Sequence, residues 1–374
     1  MSLSVYIHIP FCKSKCSYCS FCSIPLHQYN AAAYWEAVEE EARLRLSNIN
    51  ESIDTVYVGG GTPTALSEEV VTRVCEFVGK IASPGAEITY EANPCSLSKE
   101  KLTLIQTVGR ATRISLGVQT FNEKGLSLLG RAHSVNDTYR AIDLLHAHEV
   151  AEIGFDLIFA WAGQSCFDWE KDLQIAVKLC PTHISCYNLT YEQGTAIYQS
   201  LESGMISAVD ENIELELFRL CDTKLSDTHP RYELGNFAKP EHRSRHNQVY
   251  WTGGSYIGLG ASAHSFDGNI RTWNSSNIDE YVQSMSKGIF EPHGVDRLPP
   301  LDRLREIAML WLRMTDGIDS NLFFKQTGYD LNKLLYDRLK TSLQDGLAEW
   351  DQKNHLRLTE RGREISNRVF EELI

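Results

Sequence analysis

The 374-residue sequence lacks the features that mark two large classes of protein. It contains no run of about 18 or more apolar residues, so we expect no transmembrane segment. Its basic residues are outnumbered, with 36 Lys and Arg against 49 Asp and Glu, which gives a net charge of −13. Broad nucleic-acid surfaces need clustered positive charge, so this balance also argues against a nucleic-acid partner.

The sequence also has no charged and then apolar leader, no repeat of fixed period and no low-complexity segment. We therefore expect a cytoplasmic protein. In such a reducing compartment its ten cysteines are expected to be ligands and small core residues rather than disulfides. The length and a hydrophobic content of 43% indicate one large domain plus a smaller one.

Three cysteines near the N-terminus carry the first chemical signal. Cys12, Cys16 and Cys19 follow a strand-like run, and their thiols can converge if the chain loops around one point. Lys13 and Lys15 lie between them and are expected to lower the thiol pKa values towards the metal-binding thiolate form. Structural zinc and ordinary iron–sulfur sites usually take four protein ligands. A set of three therefore implies that something else occupies the open position.

Zinc and disulfide sites are the alternatives to a three-thiolate cluster. Cys22 brings the count to four cysteines within eleven residues, which is compatible with a zinc knuckle or a disulfide knot. Zinc normally needs a second ligand pair about 12–20 residues downstream, and no Cys/Cys or His/His pair follows. Disulfide frameworks belong to small secreted domains. The pattern favours a cluster.

The residues around these cysteines resemble a known family. Tyr6-Ile-His-Ile-Pro-Phe-Cys12, the Cys-x3-Cys-x2-Cys loop with Tyr18, and Phe21 two residues after Cys19 are similar to radical S-adenosylmethionine (SAM) proteins. Within them the chain resembles the relatives of oxygen-independent coproporphyrinogen III dehydrogenase, above all their heme-chaperone branch, HemW. The resemblance covers almost the whole chain. It implies that the three cysteines hold a [4Fe–4S] cluster whose open iron is chelated by SAM.

The first two hundred residues alternate short β-rich runs with amphipathic helical patterns, which predicts a parallel sheet with helical crossovers. The predicted strands are 4–9, 53–59, 87–91, 113–118, 152–158 and 183–189. The predicted helices between them are 31–46, 67–82, 98–108, 135–148 and 167–179.

Alternation within these strands selects the architecture. One side of each strand is aliphatic, and the other is polar, small or aromatic, as with Glu91 beside Tyr90 and Asp156 beside Leu157. A doubly wound sheet would read as continuous aliphatic runs, and an open sheet with one wet face is uncommon for parallel strands. We therefore predict an α/β fold of the radical SAM type, a partial, laterally open (β/α)6 TIM-like barrel with its site at the strand C-termini.

Residues at these strand ends are candidates for SAM contacts. Gly60, Gly61 and Thr62 follow strand two, where glycines allow a close backbone approach and present N–H donors. The resemblance implies that this loop lies against the SAM amino group. It also implies SAM contacts for Tyr6, Tyr18, Glu91, Gln119, Arg131 and Asp156. Residues 160–164 read Ala-Trp-Ala-Gly-Gln where the family has Gly-Leu-Pro-Gly-Gln, and a bend is expected at Gly163.

A second group of candidates follows the sixth strand. It consists of His246, Asn247, Tyr250 and Trp251. On pattern alone, such a cluster is more often packed loop aromatics than a ligand site. The resemblance implies the opposite, because His-Asn-x-x-Tyr-Trp is similar to a heme-chaperone signature, with His246 as a candidate iron ligand. His264 is a weaker candidate, expected to be a buried, hydrogen-bonded histidine.

The chain is predicted to divide into three units. These are a radical SAM barrel at 1–200, an α/β extension with the heme motif at 201–295, and a small helical, winged-helix-like domain at 296–374. Predicted helices beyond the barrel are 210–225, 301–314, 321–327, 331–345 and 356–373, with a wing near 347–358. No basic recognition face stands out in the last unit, which is expected to be a lid or protein-contact module.

Two functions from different classes follow from the resemblance. In the first, the protein binds heme or porphyrin, carries the cluster and SAM, and passes heme to respiratory proteins at the membrane surface. In the second, it is an oxidoreductase of the coproporphyrinogen dehydrogenase type, which converts propionates to vinyl groups. The first is favoured because Phe21 stands where the dehydrogenases have a fourth cysteine and because the motif at 246–251 matches the chaperone signature.

Overall fold

The structure is a computed structural model that describes residues 2–373. Its strands are β1 Ser2–Ile9, β2 Phe11–Cys12, β3 Ile24–Pro25, β4 Ser52–Gly60, β5 Glu87–Ala92, β6 Arg113–Gln119, β7 Glu152–Phe159, β8 His183–Asn188, β9 Arg231–Glu233, β10 Asn236–Ala238, β11 Tyr256–Leu259, β12 His264–Phe266, β13 Arg271–Trp273, β14 Gly294–Asp296, β15 Ile318–Asp319, β16 Ala348–Trp350 and β17 His355–Leu358.

The helices lie mostly between the strands. They are α1 Ala31–Leu46, α2 Glu68–Ile81, α3 Lys99–Thr107, α4 Glu123–Leu128, α5 Val135–Ala147, α6 Cys166–Lys178, α7 Ala196–Glu202, α8 Glu211–Leu225, α9 Arg245–Trp251, α10 Ile278–Ser286, α11 Pro300–Trp311, α12 Ser320–Thr327, α13 Leu331–Leu335, α14 Lys340–Gln344, α15 Glu360–Glu364 and α16 Ser366–Glu371.

The six predicted barrel strands are confirmed and pair in the order β1-β4-β5-β6-β7-β8, all parallel. The five predicted helices of this region are also confirmed to within a residue or two at each end. The aliphatic side of the sheet lies under these helices, and Val5, Ile7 and Val56 are fully buried there. Each such side chain contributes about 1.5–3 kcal/mol through removal from water. The α/β partial barrel expected from strand alternation is therefore what this chain forms.

Residues beyond the barrel extend its sheet at both edges. On one side β11 runs parallel to β1 and is followed by β12, β13 and β14, each antiparallel to its neighbour. On the other side β10 and then β9 add antiparallel strands next to β8. One twelve-stranded sheet results, so the predicted barrel and extension share a single hydrogen-bonded layer. The boundary at residue 200 stays a prediction.

The C-terminal unit packs short helices on a three-stranded sheet with the order β15-β17-β16. Two predicted helices are wrong here. The predicted helix 331–345 is split into α13 and α14, and both pack leucines on the same core, Leu335 from α13 and Leu343 from α14. The predicted helix 356–373 begins as β17, in which Leu356 and Leu358 alternate with half-buried residues. Pairing with both β15 and β16 overrides the helical pattern.

Within residues 2–373, the structure contains no helix with the length and apolar character needed to cross a bilayer.

A buried carboxylate ties the barrel to its extension. Glu41 on α1 is fully buried and accepts hydrogen bonds from Arg45 at 2.8 Å and the Asn274 amide at 2.9 Å. Its second oxygen accepts from the Gly260 N–H at 2.8 Å and the Tyr281 hydroxyl at 2.7 Å. Burial of a charge is tolerated only with such partners. Glu41 therefore fixes the turn that follows β11.

Replacement of Glu41 by Ala should lower the free energy of unfolding by about 3–5 kcal/mol, because it removes the carboxylate that pairs with the partly buried Arg45 and leaves the buried donors of Gly260, Asn274 and Tyr281 without their acceptor. Urea unfolding followed by circular dichroism measures this. Glu40→Ala is the matched control, since the Glu40–Arg43 pair is exposed and its loss should move the midpoint little. Equal effects of the two substitutions would contradict the role given to Glu41.

Candidate functional site

A cavity of about 430 Å³ opens at the C-terminal ends of the barrel strands. It brings together eleven of the twelve residues that the sequence assigned to a cluster or to SAM. These are Cys12, Cys16, Tyr18, Cys19, Gly60, Gly61, Thr62, Glu91, Gln119, Arg131 and Asp156. The twelfth, Tyr6, lies beside the cavity wall, with its hydroxyl 2.9 Å from His8 Nδ1 and its ring 6.1 Å from that of Tyr57.

The cysteine loop is shaped by contacts at its two ends and in its middle. Its ends are joined where β2 pairs in parallel with β3. In the middle, the Ser17 N–H donates to the Leu129 carbonyl at 3.0 Å and the Ser17 hydroxyl donates to the Leu128 carbonyl at 2.8 Å. The Cys19 N–H donates to the Cys16 carbonyl at 3.3 Å. With these bonds in place, Cys12, Cys16 and Cys19 all line the cavity.

Burial controls the protonation of these thiols. It raises the pKa values of Cys12 and Cys19, and Lys15 lowers that of Cys19 only as a minor cause. The expectation that Lys13 and Lys15 bring these two thiols towards thiolate is therefore wrong, because desolvation outweighs charges held mainly in water. A metal that binds here has to displace protons from the thiols.

Two donors reach the sulfurs from the opposite wall. The Thr62 hydroxyl lies 3.6 Å from Cys12 Sγ, and Arg131 Nη1 lies 3.4 Å from Cys16 Sγ. Arg131 also donates to the Gly117 carbonyl at 2.9 Å, and its buried Nε has no partner among the described residues. A hydrogen-bond donor and a fixed positive charge thus face the thiols, which suits a site for thiolates and an anionic ligand.

The thiol geometry argues against a single metal ion. Among residues 2–373, no three His, Cys, Asp or Glu side chains are grouped closely enough to hold one ion. A zinc ion draws every thiolate to about 2.3 Å from the same centre, whereas an iron–sulfur cluster binds its thiolates through separate iron atoms. All three thiols line a cavity with room for more than a single ion, which fits a cluster with one open corner.

The glycine loop packs on the end of β1 more closely than any other residue type would allow. A Cβ on Gly60, whose φ is +105°, would lie 2.3 Å from the His8 ring, and a Cβ on Gly61 would lie 2.7 Å from the Ile9 carbonyl. The N–H groups of the loop are already bonded within the protein, that of Gly61 to Ile9 at 2.8 Å and that of Thr62 to Phe11 at 2.7 Å. The expected free N–H donors are therefore absent from this loop, which offers carbonyl oxygens instead. Carbonyl oxygens suit a cationic amino group.

Two half-buried carboxylates form the floor of the cavity. Glu91 accepts hydrogen bonds from the Tyr57 hydroxyl at 2.8 Å and from the Gly60 N–H at 3.0 Å. Asp156 accepts from the hydroxyls of Ser115 at 2.9 Å and Ser185 at 2.8 Å. Burial raises the pKa of Glu91 to about 7, with the negative charge of Asp156 acting in the same direction, and burial also raises the pKa of Asp156. Both carboxylates keep acceptor positions for ligand hydroxyl or ammonium groups.

Backbone strain aims Gln119 at the cavity. Gln119 has a φ of +66° although it is not glycine, a conformation that is held only where the surroundings enforce it. A Cβ on Gly117 would lie 2.8 Å from Gln119 Nε2, so a larger residue there would displace the end of the Gln119 side chain. The divergent loop at 160–164 bends at Gly163 as expected, with a φ of +82°. Its Trp161 is buried beside Tyr18 rather than in the cavity.

Sequence reasoning missed several residues of the cavity wall. Tyr57, Cys95, Ser115 and Tyr187 all line it. Tyr57, Ser115 and Tyr187 point inward by the same period-two alternation that identified Glu91, so the strand pattern contained the signal. Cys95 lies on the loop after β5, for which period-two alternation makes no prediction.

The predicted heme residues lie elsewhere. None of His246, Asn247, Tyr250 and Trp251 lines the cavity in the part of the chain that the structure describes. His246 is 1% exposed, with Nδ1 2.7 Å from the Thr55 hydroxyl and Nε2 2.8 Å from the Tyr250 hydroxyl. Burial lowers the pKa of His246 to about 3, so the ring is neutral.

The heme-motif helix nevertheless contacts the cavity floor through one ring. The His246 ring stacks on Tyr57 with centroids 5.2 Å apart, and Tyr57 donates to Glu91. The helix begins at the opposite end of the sheet, where the His246 N–H donates to Glu87 at the start of β5. Trp251 packs under Arg313 of the C-terminal unit. The motif therefore joins three parts of the molecule.

Family models and curated relatives match most of the chain. The model of the radical SAM superfamily matches residues 6–174, and that of the HemN C-terminal domain matches residues 298–365. The heme chaperone HemW of Bacillus subtilis is 31% identical over 98% of this chain and 98% of its own length. The heme chaperone HemW of Mycobacterium tuberculosis is 30% identical, with 99% and 94% covered.

Solved structures support the fold. The coproporphyrinogen III oxidase HemN of Escherichia coli, described as a radical SAM enzyme, superposes with a TM-score of 0.85 over 99% of this chain and 89% of its own. The two sequences are 22% identical, so the likeness concerns the fold alone.

Replacement of Cys12, Cys16 or Cys19 by Ser should abolish the cluster, because it removes one of only three thiolate ligands. Iron and sulfide analysis after anaerobic reconstitution measures this. Cys22→Ser is the matched control, since the Cys22 thiol points away to the Ser276 carbonyl at 3.3 Å. Full iron content is expected in that variant, and a loss as large as in the other three would disprove the assignment.

SAM should bind more tightly as the pH rises through about 7, where the Glu91 carboxyl loses its proton and gains an acceptor and a charge. Below that pH the dissociation constant should rise by up to about tenfold per unit. Anaerobic calorimetry between pH 6 and 8 measures this. Glu91→Gln should bind weakly without pH dependence. Asp156→Asn should keep the dependence with a lower midpoint, because it removes a negative charge that raises the Glu91 pKa. A flat profile in the unsubstituted protein would contradict the role of Glu91.

Proposed function

The chain belongs to the HemW family of radical SAM proteins, and from this premise we propose that it is a heme chaperone. It carries a [4Fe–4S] cluster and SAM in the cavity, binds heme, and delivers it to other proteins of porphyrin and heme metabolism. The observation that carries this proposal is the similarity to curated heme chaperones along the whole chain, including the barrel, the extension and the C-terminal unit.

The protein's own residues divide the work at the cofactor site. Cys12, Cys16 and Cys19 supply the thiolates, while Thr62 and Arg131 donate hydrogen bonds to two of the sulfurs. Such donors withdraw charge from the sulfurs and thereby tune the reduction potential of a cluster. Bound together, the cluster and SAM supply one-electron chemistry.

The polar wall is assigned to SAM. The carbonyls of Gly60 and Gly61 would accept from its amino group, and the Arg131 guanidinium would face its carboxylate. Glu91 and Asp156, which are held by Tyr57 and Ser115, would accept from its ribose hydroxyls. Gln119, Tyr18 and Thr62 complete the contacts in the cavity, and Tyr6 supports them from behind through Tyr57.

Heme binding is supported by the function of the relatives, which are heme chaperones, and by the motif at 246–251, which lies outside the cavity. Phe21 is 66% exposed at the mouth of the cavity, at the position where the resemblance places a fourth cysteine in the dehydrogenases. We place the protein in the cytoplasm, and we take the recipients of its heme to be respiratory proteins at the membrane surface. Both statements are based on the resemblance to the heme-chaperone family.

The test combines a binding assay with an activity assay. Anaerobically reconstituted protein should bind hemin saturably, with a shift of the Soret band in a titration. The same preparation, given SAM, a reductant and coproporphyrinogen III, should form no protoporphyrinogen. Absence of hemin binding would refute the chaperone function, and protoporphyrinogen formation would establish the oxidoreductase in its place.

A further inference from the structure

A heme chaperone needs an accessible iron ligand, and His246 does not provide one in this structure. Its ring is 1% exposed, and both nitrogens are engaged, one with Thr55 and the other with Tyr250. Coordination of iron by Nε2 would require the Tyr250 bond to break and a macrocycle to enter the packed end of the barrel. The following inference rests on the proposed chaperone function, and it concerns which histidine binds the heme iron.

His264 has the features that His246 lacks. It is exposed at the start of β12, contrary to the expectation of a buried ring. Its Nδ1 lies 3.1 Å from the Ser262 carbonyl, which can only accept, so Nδ1 carries the proton and Nε2 carries the lone pair. Partial burial of the ring lowers the His264 pKa, and Arg271 acts in the same direction, so the ring is neutral at pH 7. A backbone carbonyl on one nitrogen is the usual arrangement for a metal-binding histidine.

An aromatic surface adjoins this ring. His264 pairs across strands with Trp273, and the two rings lie nearly parallel, with centroids 5.7 Å apart and planes at 24°. Trp273 in turn pairs with Gly294 on β14. A Cβ on Gly294 would lie 2.1 Å from the Trp273 ring, so the indole covers this strand only because the residue is glycine. An imidazole that ligates iron stands upright on the porphyrin, so the indole stacked on His264 would meet the macrocycle with its edge. An apolar ring edge beside a free nitrogen suits a metalloporphyrin.

The same sheet face leads to the heme motif. His264 and Phe266 are two residues apart on β12 and therefore share a face. Phe266 contacts Tyr256 at 6.2 Å between centroids, and Tyr256 contacts Tyr250 edge to face at 4.6 Å. The chain of rings links the motif to His264, so Tyr250 can affect heme binding without any bond between His246 and iron.

The location also suits delivery. β11 is parallel to β1, so the turn between β11 and β12 lies at the edge of the sheet that carries the cysteine loop. The Cys22 thiol donates to the Ser276 carbonyl at 3.3 Å and thereby joins that loop to the segment after β13. Ser262 in the turn holds a φ of +62°, which Ser adopts only when its surroundings enforce it. His264 is therefore presented on a fixed turn near the cofactor cavity.

We propose that His264 Nε2 is the axial ligand of the bound heme iron and that Trp273 packs against the porphyrin. The bond that forms is a dative bond from the neutral imidazole to iron, and a weakly held iron ligand such as water leaves, with no proton released and no change in oxidation state. His246 is a positioning residue that holds Tyr250 at the far end of the aromatic chain.

The test compares three histidine variants in hemin titrations at pH 7, with cluster content and circular dichroism measured alongside. His264→Ala should raise the dissociation constant at least tenfold and shift the Soret maximum, and added imidazole should restore the spectrum. His146→Ala is the matched control, because His146 is also exposed and also has one ring nitrogen on a backbone carbonyl, that of Leu179. The His146→Ala variant should bind hemin as the unsubstituted protein does. His246→Ala should keep the Soret maximum of the unsubstituted protein, with lower thermal stability.

The outcomes separate this inference from the proposed function. Hemin binding by the unsubstituted protein with an unchanged spectrum in His264→Ala would overturn the His264 assignment and leave the chaperone function standing. The His264 assignment would also be overturned if a folded His246→Ala variant lost iron coordination and added imidazole restored that coordination. Absence of hemin binding by the unsubstituted protein would refute both.

Trp273→Leu should weaken hemin binding without moving the Soret maximum. A change in the iron ligand field in that variant would contradict the packing role of Trp273.

Discussion

The interior of this barrel depends on the half-buried carboxylate of Glu91. A carboxylate is stable in such a place only when its oxygens are hydrogen-bonded, and the two donors here come from different neighbours, the Gly60 backbone and the Tyr57 hydroxyl. Gly60 fixes the loop on which a ligand amino group can rest. Tyr57 stacks on His246, which is bonded in turn to Thr55. A continuous series of contacts, from Glu91 through Tyr57 to His246, therefore connects the cofactor cavity with the opposite end of the sheet.

Much of the fold could be predicted because it depends on local patterns. Glu91 and Asp156 interrupt aliphatic strands with period two, and that alternation identified the inner face correctly. What the sequence could not supply depends on contacts between distant segments. The Cys12 thiol is affected more by burial than by the nearby lysines, and the Thr62 N–H is bonded to Phe11 rather than free. Such burial and pairing exist only once the chain has folded.

The same distinction applies to the two histidines. His246 lies in a recognisable motif, and its sequence context gives no hint that Thr55, nearly two hundred residues earlier, binds its ring. His264 lies in a run of small residues that reads as buried, yet the turn after β11, held by Glu41, presents it to solvent. A resemblance identifies a family, but the folded surroundings decide which nitrogen is free. Since a similar fold serves a coproporphyrinogen oxidase, side chains rather than architecture distinguish the functions.

The extension of the sheet at both sides has a further consequence for encounters with other proteins. The outermost strands, β14 and β9, are only three residues long, and the long barrel strands β1 and β8 are already paired on both sides. Short outer strands are poor templates for another chain. In the twelve-stranded sheet of residues 2–373, another protein would therefore find only three-residue edges on which to align, so recognition there would depend on side chains and loop shape. This favours a brief, reversible encounter over a lasting β-augmented complex.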